Sequence, residues 1–309
     1  MLHFLFEAMI QTALLIGGTG FVGRHMQKIL QHRYEVIATG RESDIRDDGQ
    51  MDALVRSSRP QVVVNFAALT TVRETFQDSL NTYRIGFLGT LSLLNALKKN
   101  GFTGTLLNIS SSEVYGFPQP DQLPITEATP LQPMSPYSVN KIATEALCRQ
   151  WSQAEEFRIV TARPFTHIGP GQSDRFAISN FGKQIAEIAS GMREPVIRVG
   201  NLHATRDITD VRDVVNAYSR LLEAGESGQV YNICTGSEVS IQSLLYALIE
   251  FAKTDIKIEQ DPSLMRNVEQ LRIQGCFEKL RKRTGWTPQI PLQQTLADIF
   301  SHWLHEMRQ

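Results

Sequence analysis

The sequence predicts an α/β fold in which a doubly wound parallel sheet is joined by a smaller, interleaved C-terminal domain. Short apolar segments alternate with amphipathic segments from Thr12 onward, a glycine-rich turn follows the first apolar segment, and the alternation loosens after about Gly169. Strand-sized and helix-sized segments in alternation imply right-handed crossover connections between parallel strands. A glycine-rich turn after the first strand is typical of a Rossmann-like sheet.

The first half of the chain supplies most strands and helices of this sheet. In chain order its segments are "TALLIGG", "GRHMQKILQHR", "YEVIATG", "MDALVRSSR", "QVVVNFAA", "GTLSLLNALKKNG" and "TGTLLNISS". "QVVVNFAA" is apolar on both faces, as a buried parallel strand should be. Two later segments, "DVRDVVNAYSRLL" and "GQVYNICTG", have the character of a further helix and strand of the same sheet. We expect residues 1–165 to form the nucleotide-binding domain, residues of about 203–236 to return to it, and residues 166–309 to form mainly the second domain.

The bulk composition indicates a globular protein that binds a small molecule. Of 309 residues 42% are apolar, and 31 basic against 32 acidic residues leave a formal net charge of −1. A balanced charge gives no electrostatic footprint for nucleic acid or an anionic membrane. Neither is therefore expected as a partner.

Cysteine usage and the N-terminal segment favour a reducing, cytoplasmic setting. Cys148, Cys234 and Cys276 lie far apart, which argues against a disulfide framework or a thiolate metal site. The N-terminal "MLHFLFEAMI" is apolar, but it has no basic leader and is too short to span a bilayer. We expect it to be an extension before the first strand, with Met9 as an alternative start.

The stretch "LLIGGTGFVGRH" indicates a nucleotide site. It places Gly17, Gly20 and Gly23 between an apolar strand and a helix. Such glycines let the backbone turn tightly and approach a pyrophosphate, which binds the N–H groups at the positive end of the helix. Phe21 and Val22, at the start of that helix, belong to the expected cofactor site. The alternative is a merely structural turn.

The end of the second strand, "VIATGRES", bears on the choice of cofactor. Thr39 and Arg41 offer a hydroxyl and a guanidinium suited to a 2′-phosphate, at a place where an NAD site commonly has an acid. The sequence therefore favours NADPH over NADH, with an ordinary solvated loop charge as the alternative for Arg41. The residues expected to flank the adenine or to let the cofactor lie close are Asp44, Ile45, Ala67 and Ala68.

The stretch "SPYSVNKIATEALCRQW" indicates the catalytic centre. Tyr137 and Lys141 are four residues apart and lie on one face of a predicted helix. An unperturbed phenol has a pKa of about 10, and we expect the neighbouring ammonium to lower it so that the phenol can exchange a proton with an alcohol or carbonyl. Ser111, at the end of an earlier strand, supplies a hydroxyl for the same oxygen.

In this order, "GGTGFVG", "NFAA", "ISSSEVYG" and Tyr137-x-x-x-Lys141 resemble the extended short-chain dehydrogenase/reductase family. The resemblance implies a nicotinamide-dependent oxidation or reduction of a sugar carbon. Tyr137 would be the acid/base, Lys141 would tune it and bind the ribose, Ser111 would orient the carbonyl, and Pro164 would contact the cofactor. One departure is visible, because the family usually has Asn where this chain has Gly86, which puts the family's proton relay in doubt.

The C-terminal half resembles the GDP-6-deoxy-D-mannose reductases through "RPFTHIGPGQS", "FGKQI", "VGNLHATRDITDVRDVV", "VYNICTG" and "GWTPQIPL". The resemblance implies a GDP-sugar substrate. Arginine suits bidentate contacts with a diphosphate, and a carboxylate can accept from ribose hydroxyls. A solvated helix charge is the alternative for the lysine in this set. The substrate-binding candidates are Ser112, Glu113, Thr166, Lys183, Val199, Asn201, Arg206, Arg266 and Glu269.

Glu113 leaves two reactions open. Sugar 4,6-dehydratases have a glutamate at the matching position, where it removes a C5 proton as C6 loses water, so Glu113 is also a catalytic candidate. Against dehydration, GDP-mannose dehydratases have a long arginine-rich loop where this chain has the short "TGRESDIRD". We expect reduction of the C4 keto group of GDP-4-keto-6-deoxy-D-mannose to GDP-6-deoxy-D-mannose. A GDP-mannose 4,6-dehydratase and a reductase that forms GDP-6-deoxy-D-talose are the alternatives.

The remaining expectations concern metals, assembly and non-catalytic relatives. His167, in a Gly/Pro loop, is more typical of a hydrogen-bonded structural residue, and His302 and His305 have no partner ligand in sequence, so no metal is predicted. The resemblance implies a homodimer that pairs the Tyr137 helix with the "GTLSLLNALKK" helix. A nucleotide-sensing binding protein is the non-enzyme alternative, but such relatives lose the tyrosine or lysine that this chain retains.

Overall fold

The computed structural model describes residues 11–68, 72–264 and 270–308. The strands are β1 (Thr12–Ile16), β2 (Glu35–Ala38), β3 (Val62–Asn65), β4 (Thr105–Ile109), β5 (Arg158–Pro164), β6 (Thr166–Ile168), β7 (Val196–Val199), β8 (Thr205–Asp210), β9 (Val230–Ile233), β10 (Glu238–Ser240) and β11 (Lys257–Gln260). The α-helices are α1 (Phe21–Leu30), α2 (Asp48–Ser58), α3 (Val72–Gln77), α4 (Ser79–Tyr83), α5 (Gly89–Lys99), α6 (Pro136–Ala154), α7 (Ala177–Ala189), α8 (Val211–Ala224), α9 (Ile241–Ala252), α10 (Glu278–Thr284) and α11 (Leu292–Glu306). The predicted N-terminal extension, with Met9, lies outside the described residues.

The main sheet has six parallel strands in the order β2-β1-β3-β4-β5-β9. Successive residues of β1 face opposite sides, so that Leu15 joins the core under α1 and α8 while Leu14 joins the core under α2 and α5. Each of these fully buried side chains contributes about 1.5–3 kcal/mol. The doubly wound α/β fold predicted from the alternation is confirmed.

The "GQVYNICTG" segment supplies β9, which pairs with β5 at the end of the main sheet, and "DVRDVVNAYSRLL" supplies α8, which packs on α1. Strands that precede α8 and strands that follow β9 form two smaller sheets, β10-β8-β6 and β11-β7. Helices α7, α9 and α11 pack together around a separate apolar core that includes Ile185, Leu245 and Ile299. Strand β6 follows β5 almost directly, so the C-terminal layer begins beside the carboxyl end of the main sheet.

Helix α6 begins where its sequence specifies a helix start. Ser135 is the N-cap, its hydroxyl accepts from the Ser138 backbone N–H at 3.1 Å, and Pro136 occupies the first helical position. Both features are typical of N-termini, because they satisfy or remove N–H groups that lack an intrahelical partner. The cap therefore fixes the first turn of α6, which carries Tyr137. Within the described ranges, we find no helix with the length and apolarity needed to cross a membrane.

Candidate active site

The strand order reverses between β1 and β3, and the glycine-rich turn lies at that point. Gly17 has a φ of +73°, and a Cβ there would lie 3.1 Å from the Ala67 backbone nitrogen. A Cβ on Gly23 would lie 2.1 Å from the Gly18 carbonyl oxygen. Only glycine permits this conformation at the first position and this close approach at the second. In open α/β sheets, ligands bind in the crevice at such a reversal.

The start of α1 fits the pyrophosphate of a dinucleotide. Gly20 is the N-cap and carries no side chain that could bond the N–H groups of the first helical turn, where Phe21 and Val22 lie. A Cβ at Gly20 would meet only the Gly17 carbonyl oxygen, at 3.4 Å. The helix end thus presents N–H groups and a positive dipole to the crevice.

Thr39 and Arg41, which follow β2, have different roles: Thr39 supports the glycine-rich turn, and Arg41 is accessible to a ligand. Thr39 is buried, and its hydroxyl accepts from the Gly17 N–H at 3.4 Å, so it supports the glycine turn. Arg41 is exposed. Glu42 folds back to accept from the Gly40 N–H. Arg41 is therefore the cation that this end of the strand offers to a 2′-phosphate.

The other predicted cofactor residues flank the same crevice in different ways. Asp44 is ion-paired with Arg46 at 2.7 Å, whereas Ile45 is buried against α5, where it would lie 2.6 Å from a Cβ on Gly89. The Ala67 N–H donates to the Asn65 side chain at 3.1 Å, and Ala68 directly follows. Pro164 is the last residue of β5.

The carboxyl end of β4 meets the start of α6, which brings the serine, tyrosine and lysine together. Lys141 donates from Nζ to the Ile109 carbonyl at 2.6 Å, and the same nitrogen lies 5.6 Å from the centroid of the Tyr137 ring. The Ser111 hydroxyl hydrogen-bonds with the Tyr137 hydroxyl and also accepts from the Glu113 N–H at 3.2 Å. The predicted catalytic set therefore converges on one point.

The pKa of Tyr137 moves opposite to the sequence-based expectation. Burial raises it to about 12, hydrogen bonding with Ser111 lowers it, and the charge of Glu113 raises it. Our prediction that the pKa of the phenol is brought down toward working pH is wrong here, because burial is the largest influence on it and raises it. Burial also lowers the pKa of Lys141 to about 8. A phenol held in its protonated form is suited to act as an acid.

Glu113 faces the catalytic centre from a short 3-10 helix, Ser112–Tyr115, that follows β4. Its side chain is exposed, Ser112 beside it is half-buried, and the charge of Glu113 acts on the Tyr137 phenol. The Ser111 hydroxyl is the N-cap acceptor of this helix. The carboxylate of Glu113 is thus accessible from solvent while its charge acts on the phenol.

The predicted substrate residues of the C-terminal half lie in several different environments. Thr166 is exposed on β6, whereas Val199 is buried in the core around α7, which leaves only its backbone for a ligand. Asn201 accepts at Oδ1 from the His203 N–H at 2.9 Å. Arg206 donates from Nη1 to the carbonyls of Thr205 and Gln270, each at 2.8 Å.

Lys183 has an acidic partner of its own. Its Nζ lies 2.6 Å from an Asp174 carboxylate oxygen and 5.4 Å from the centroid of the Trp303 ring. That pairing agrees better with the helix-charge alternative than with a phosphate contact. The other two candidates, Arg266 and Glu269, lie outside the described residues.

His167 has the structural environment that its loop predicted. Its Nδ1 lies 3.0 Å from the Phe165 carbonyl oxygen, and burial lowers its pKa. Its ring stacks on Phe21 with centroids 6.4 Å apart. Among the residues described, there is no group of three or more His, Cys, Asp or Glu side chains arranged to hold a metal ion.

Two residues that position the site were not predicted from the sequence. Asn65 is buried at the end of β3, where Nδ2 donates to the Thr90 hydroxyl at 3.0 Å and Oδ1 accepts from Ala67, so it shapes the loop beside the glycine turn. Asp207 is fully buried and accepts from Thr235, Gly236 and Gly275, which fixes the strand that carries Arg206. Asn65 directly follows three valines in β3, which was an available signal, whereas Asp207 lies in the polar stretch "TRDITD" and gave none.

The fold defines a nucleotide-dependent oxidoreductase, and the predicted serine, tyrosine and lysine lie together within it. The family model described as GDP-mannose 4,6 dehydratase matches residues 38–299. The chain belongs to this family, and its resemblance to the extended short-chain dehydrogenases/reductases is confirmed.

The similar proteins act on nucleotide sugars. The chain is 40% identical to the GDP-6-deoxy-D-mannose reductase of Pseudomonas aeruginosa over 97% of this chain and 100% of that protein. It is 28% identical to UDP-glucose 4-epimerase 2 of Oryza sativa subsp. japonica, over 94% of this chain and 81% of that protein. Among solved structures, RMD from Pseudomonas aeruginosa complexed with NADPH has a TM-score of 0.91 at 40% identity, with 96% of this chain and 99% of that chain covered.

Proposed function

We propose that this protein reduces the C4 keto group of GDP-4-keto-6-deoxy-D-mannose with NADPH and forms GDP-6-deoxy-D-mannose, also called GDP-D-rhamnose. The observation that carries the proposal is the convergence of Ser111 and Lys141 on a Tyr137 phenol whose pKa is raised to about 12. A reduction needs an acid that stays protonated until the carbonyl oxygen gains charge. The GDP-6-deoxy-D-mannose reductase at 40% identity supports the same reaction.

The side chains of this chain would act on the substrate oxygen. NADPH held at the glycine turn would supply the hydride. Ser111 would donate a hydrogen bond to the carbonyl oxygen, and Tyr137 would transfer its hydroxyl proton to that oxygen. Donors placed in advance at the point where charge develops lower the barrier without reorganisation. The Lys141 ammonium, held by the Ile109 carbonyl, stabilises the phenolate that remains.

The cofactor part of the proposal rests on the β1 end of the sheet. The glycine turn and the uncapped start of α1 suit a pyrophosphate, and the exposed Arg41 suits the 2′-phosphate of NADPH. We assign residues 1–165, together with a later return at about residues 203–236, to the nucleotide-binding domain and residues 166–309 mainly to the interleaved substrate domain. A cytoplasmic location is supported by the three free cysteines, of which Cys148 and Cys234 are buried.

Turnover tests the reaction directly. Purified protein mixed with the keto sugar should oxidise NADPH, and NMR of the product should give the rhamno configuration rather than the talo configuration at C4. Replacing Tyr137 by Phe should lower kcat by about 10²–10⁴-fold, because one positioned acid is lost. Tyr246→Phe is the matched control, since it removes the same atom from a tyrosine that is 50% exposed on α9. An inactive parent protein would refute the proposal.

Glu113 supports a second candidate, a GDP-mannose 4,6-dehydratase activity. Its carboxylate is exposed beside the Tyr137 phenol, where a base for the C5 proton is required, and the matching family model carries that description. The test is GDP-mannose with NADP⁺ and no added reductant. Formation of the keto sugar, lost in Glu113→Gln, would establish the dehydratase. The reductase proposal expects none.

The assembly part of the proposal is the homodimer that the resemblance implies, in which α6 pairs with α5 and with the turns that lead into α5. Exposed apolar side chains occur there, with Leu80 at 58%, Leu88 at 50% and Val139 at 42% exposure. Burial of such side chains between copies removes apolar surface from water. Light scattering should give the mass of a dimer for the parent chain and of a monomer for Leu88→Glu/Val139→Glu. The control Tyr246→Glu adds a charge elsewhere and should remain dimeric. A monomeric parent contradicts the proposal.

A further inference from the structure

A buried ion pair joins α6 to β5 beneath the catalytic centre. Glu145 and Arg163 are 7% and 5% exposed. The Arg163 guanidinium donates to both carboxylate oxygens of Glu145, from Nε at 2.9 Å and from Nη2 at 2.5 Å. Two charges taken out of water cost several kcal/mol each, and a well-packed apolar pair is often as stable. Stability alone therefore does not account for a carboxylate at this place.

The carboxylate lies directly beside the catalytic lysine. Glu145 follows Lys141 by four residues on α6, so the two side chains share one face of the helix. Both bind consecutive residues at the end of β4, because Lys141 donates to the Ile109 carbonyl while the Ser110 hydroxyl donates to Glu145. The lysine and the carboxylate are thus held side by side against the strand that ends at Ser111.

The guanidinium is anchored from its other side. Arg163 Nη1 donates to the Tyr115 hydroxyl at 2.8 Å, and that hydroxyl donates to the Asn232 side chain at 2.7 Å. Tyr115 ends the 3-10 helix that carries Glu113. The network therefore connects both flanks of the catalytic centre without touching the reacting atoms.

We propose that Glu145 is a positioning residue whose negative charge keeps the Lys141 side chain in its ammonium form, with Arg163 holding the carboxylate in place. In the part of the chain that the structure describes, the other groups that face Lys141 are neutral: the Tyr137 ring and Cys148 on α6 and the Ile109 carbonyl on β4. Burial lowers the pKa of Lys141 to about 8, and Glu145 is the first cause that opposes it. Burial raises the pKa of the Cys148 thiol to about 12, so that thiol carries no charge at neutral pH.

The negative charge of Glu145 determines the direction in which the pKa of Lys141 moves. A neighbouring carboxylate favours the ammonium and raises the pKa of the lysine, so its removal lets the ammonium lose its proton at a lower pH. The alkaline limb of the kcat profile should then move to lower pH. This consequence rests on the proposed reductase function, whereas the titration of Lys141 itself does not.

The test uses the double variant Glu145→Gln/Arg163→Met, which removes both charges and keeps similar shapes. Titration of [ε-¹³C]lysine by NMR, with the Lys141 signal identified through Lys141→Arg, should show a Lys141 pKa lower by about one unit or more. The alkaline limb of kcat should move with it while KM changes little. The matched control Tyr115→Phe removes one hydrogen-bond partner of Arg163 but leaves the Glu145 charge, so its titration should match the parent.

Three results would overturn the inference: an unchanged Lys141 titration in the double variant, an equal shift in Tyr115→Phe, or a parent-like profile in Glu145→Gln alone. Glu145→Asp keeps the negative charge, so its Lys141 titration should match that of the parent. This variant, compared with Glu145→Gln, provides the test if the double variant fails to fold. The NMR readout needs no turnover. An inactive parent chain would therefore refute the reductase and leave the Glu145 result standing.

Discussion

Gly86 gives the most direct quantitative test of how the catalytic helix is packed. Gly86 lies in a π-helical turn, Arg84–Leu88, between α4 and α5, and this segment packs on α6. A Cβ there would lie 1.8 Å from Asn140 Nδ2 and 2.6 Å from its Cγ and Oδ1. Asn140 is 2% exposed and lies between Tyr137 and Lys141. The Asn140 side chain thus occupies the space where a residue other than glycine would place its side chain.

The Gly86→Ala substitution should therefore destabilise the protein. Helix propensity by itself favours alanine over glycine by roughly 0.5–1 kcal/mol. Carbon contacts have their optimum at about 3.5 Å, so the Asn140 amide must retreat by about 1.7 Å in a closely packed site. Overpacking of this kind costs about 1–3 kcal/mol, which outweighs the propensity gain. Chemical denaturation should show this net loss in the free energy of unfolding.

A double-mutant cycle isolates the contact. In Gly86→Ala/Asn140→Ala the clashing amide is absent, so the double variant should be more stable than the sum of the single effects by about 0.5–3 kcal/mol. Asn140→Ala alone should lose some stability through the space that it opens. Additive effects of the two substitutions, or a Gly86→Ala protein as stable as its parent, would refute the reasoning.

The remaining predictions concern acid strength, buried polar contacts and the glycine turn. Glu113→Gln removes a charge that raises the pKa of Tyr137, so NMR titration of [ζ-¹³C]tyrosine should show a lower Tyr137 pKa than in the parent; an unchanged titration contradicts this. Asp207→Asn leaves fewer acceptors for four buried donors and should cost about 1–3 kcal/mol in thermal unfolding, with no change counting against the assignment. Gly23→Ala places a Cβ 2.1 Å from the Gly18 carbonyl oxygen and should abolish NADPH binding in fluorescence titration; retained affinity would contradict the crevice assignment.

The parts of the site that lie within short segments could be predicted from the sequence. The glycine turn and the tyrosine-to-lysine spacing depend on residues that are neighbours in the chain, so local geometry was sufficient. The pKa of Tyr137 could not be predicted, because its direction depends on how much water the fold removes from around the phenol. The choice between a substrate contact and a helix charge for Lys183 could not be made from the sequence for a related reason, since its partner Asp174 belongs to a loop whose path is set by tertiary packing.

Helix α6 shows how one element can set position, protonation and packing together. The Ser135 cap fixes its first turn, and Tyr137 and Lys141 then follow on one face, toward the end of β4. Asn140 lies between them in the sequence and fills the space beside Gly86 on the neighbouring segment. Glu145 lies one turn after Lys141 on the same face and forms the buried ion pair with Arg163. A rotation of α6 to relieve a clash at Asn140 would also carry Lys141 away from its carbonyl partner. For that reason, a packing change at the helix interface should alter proton transfer even though it touches neither substrate nor cofactor.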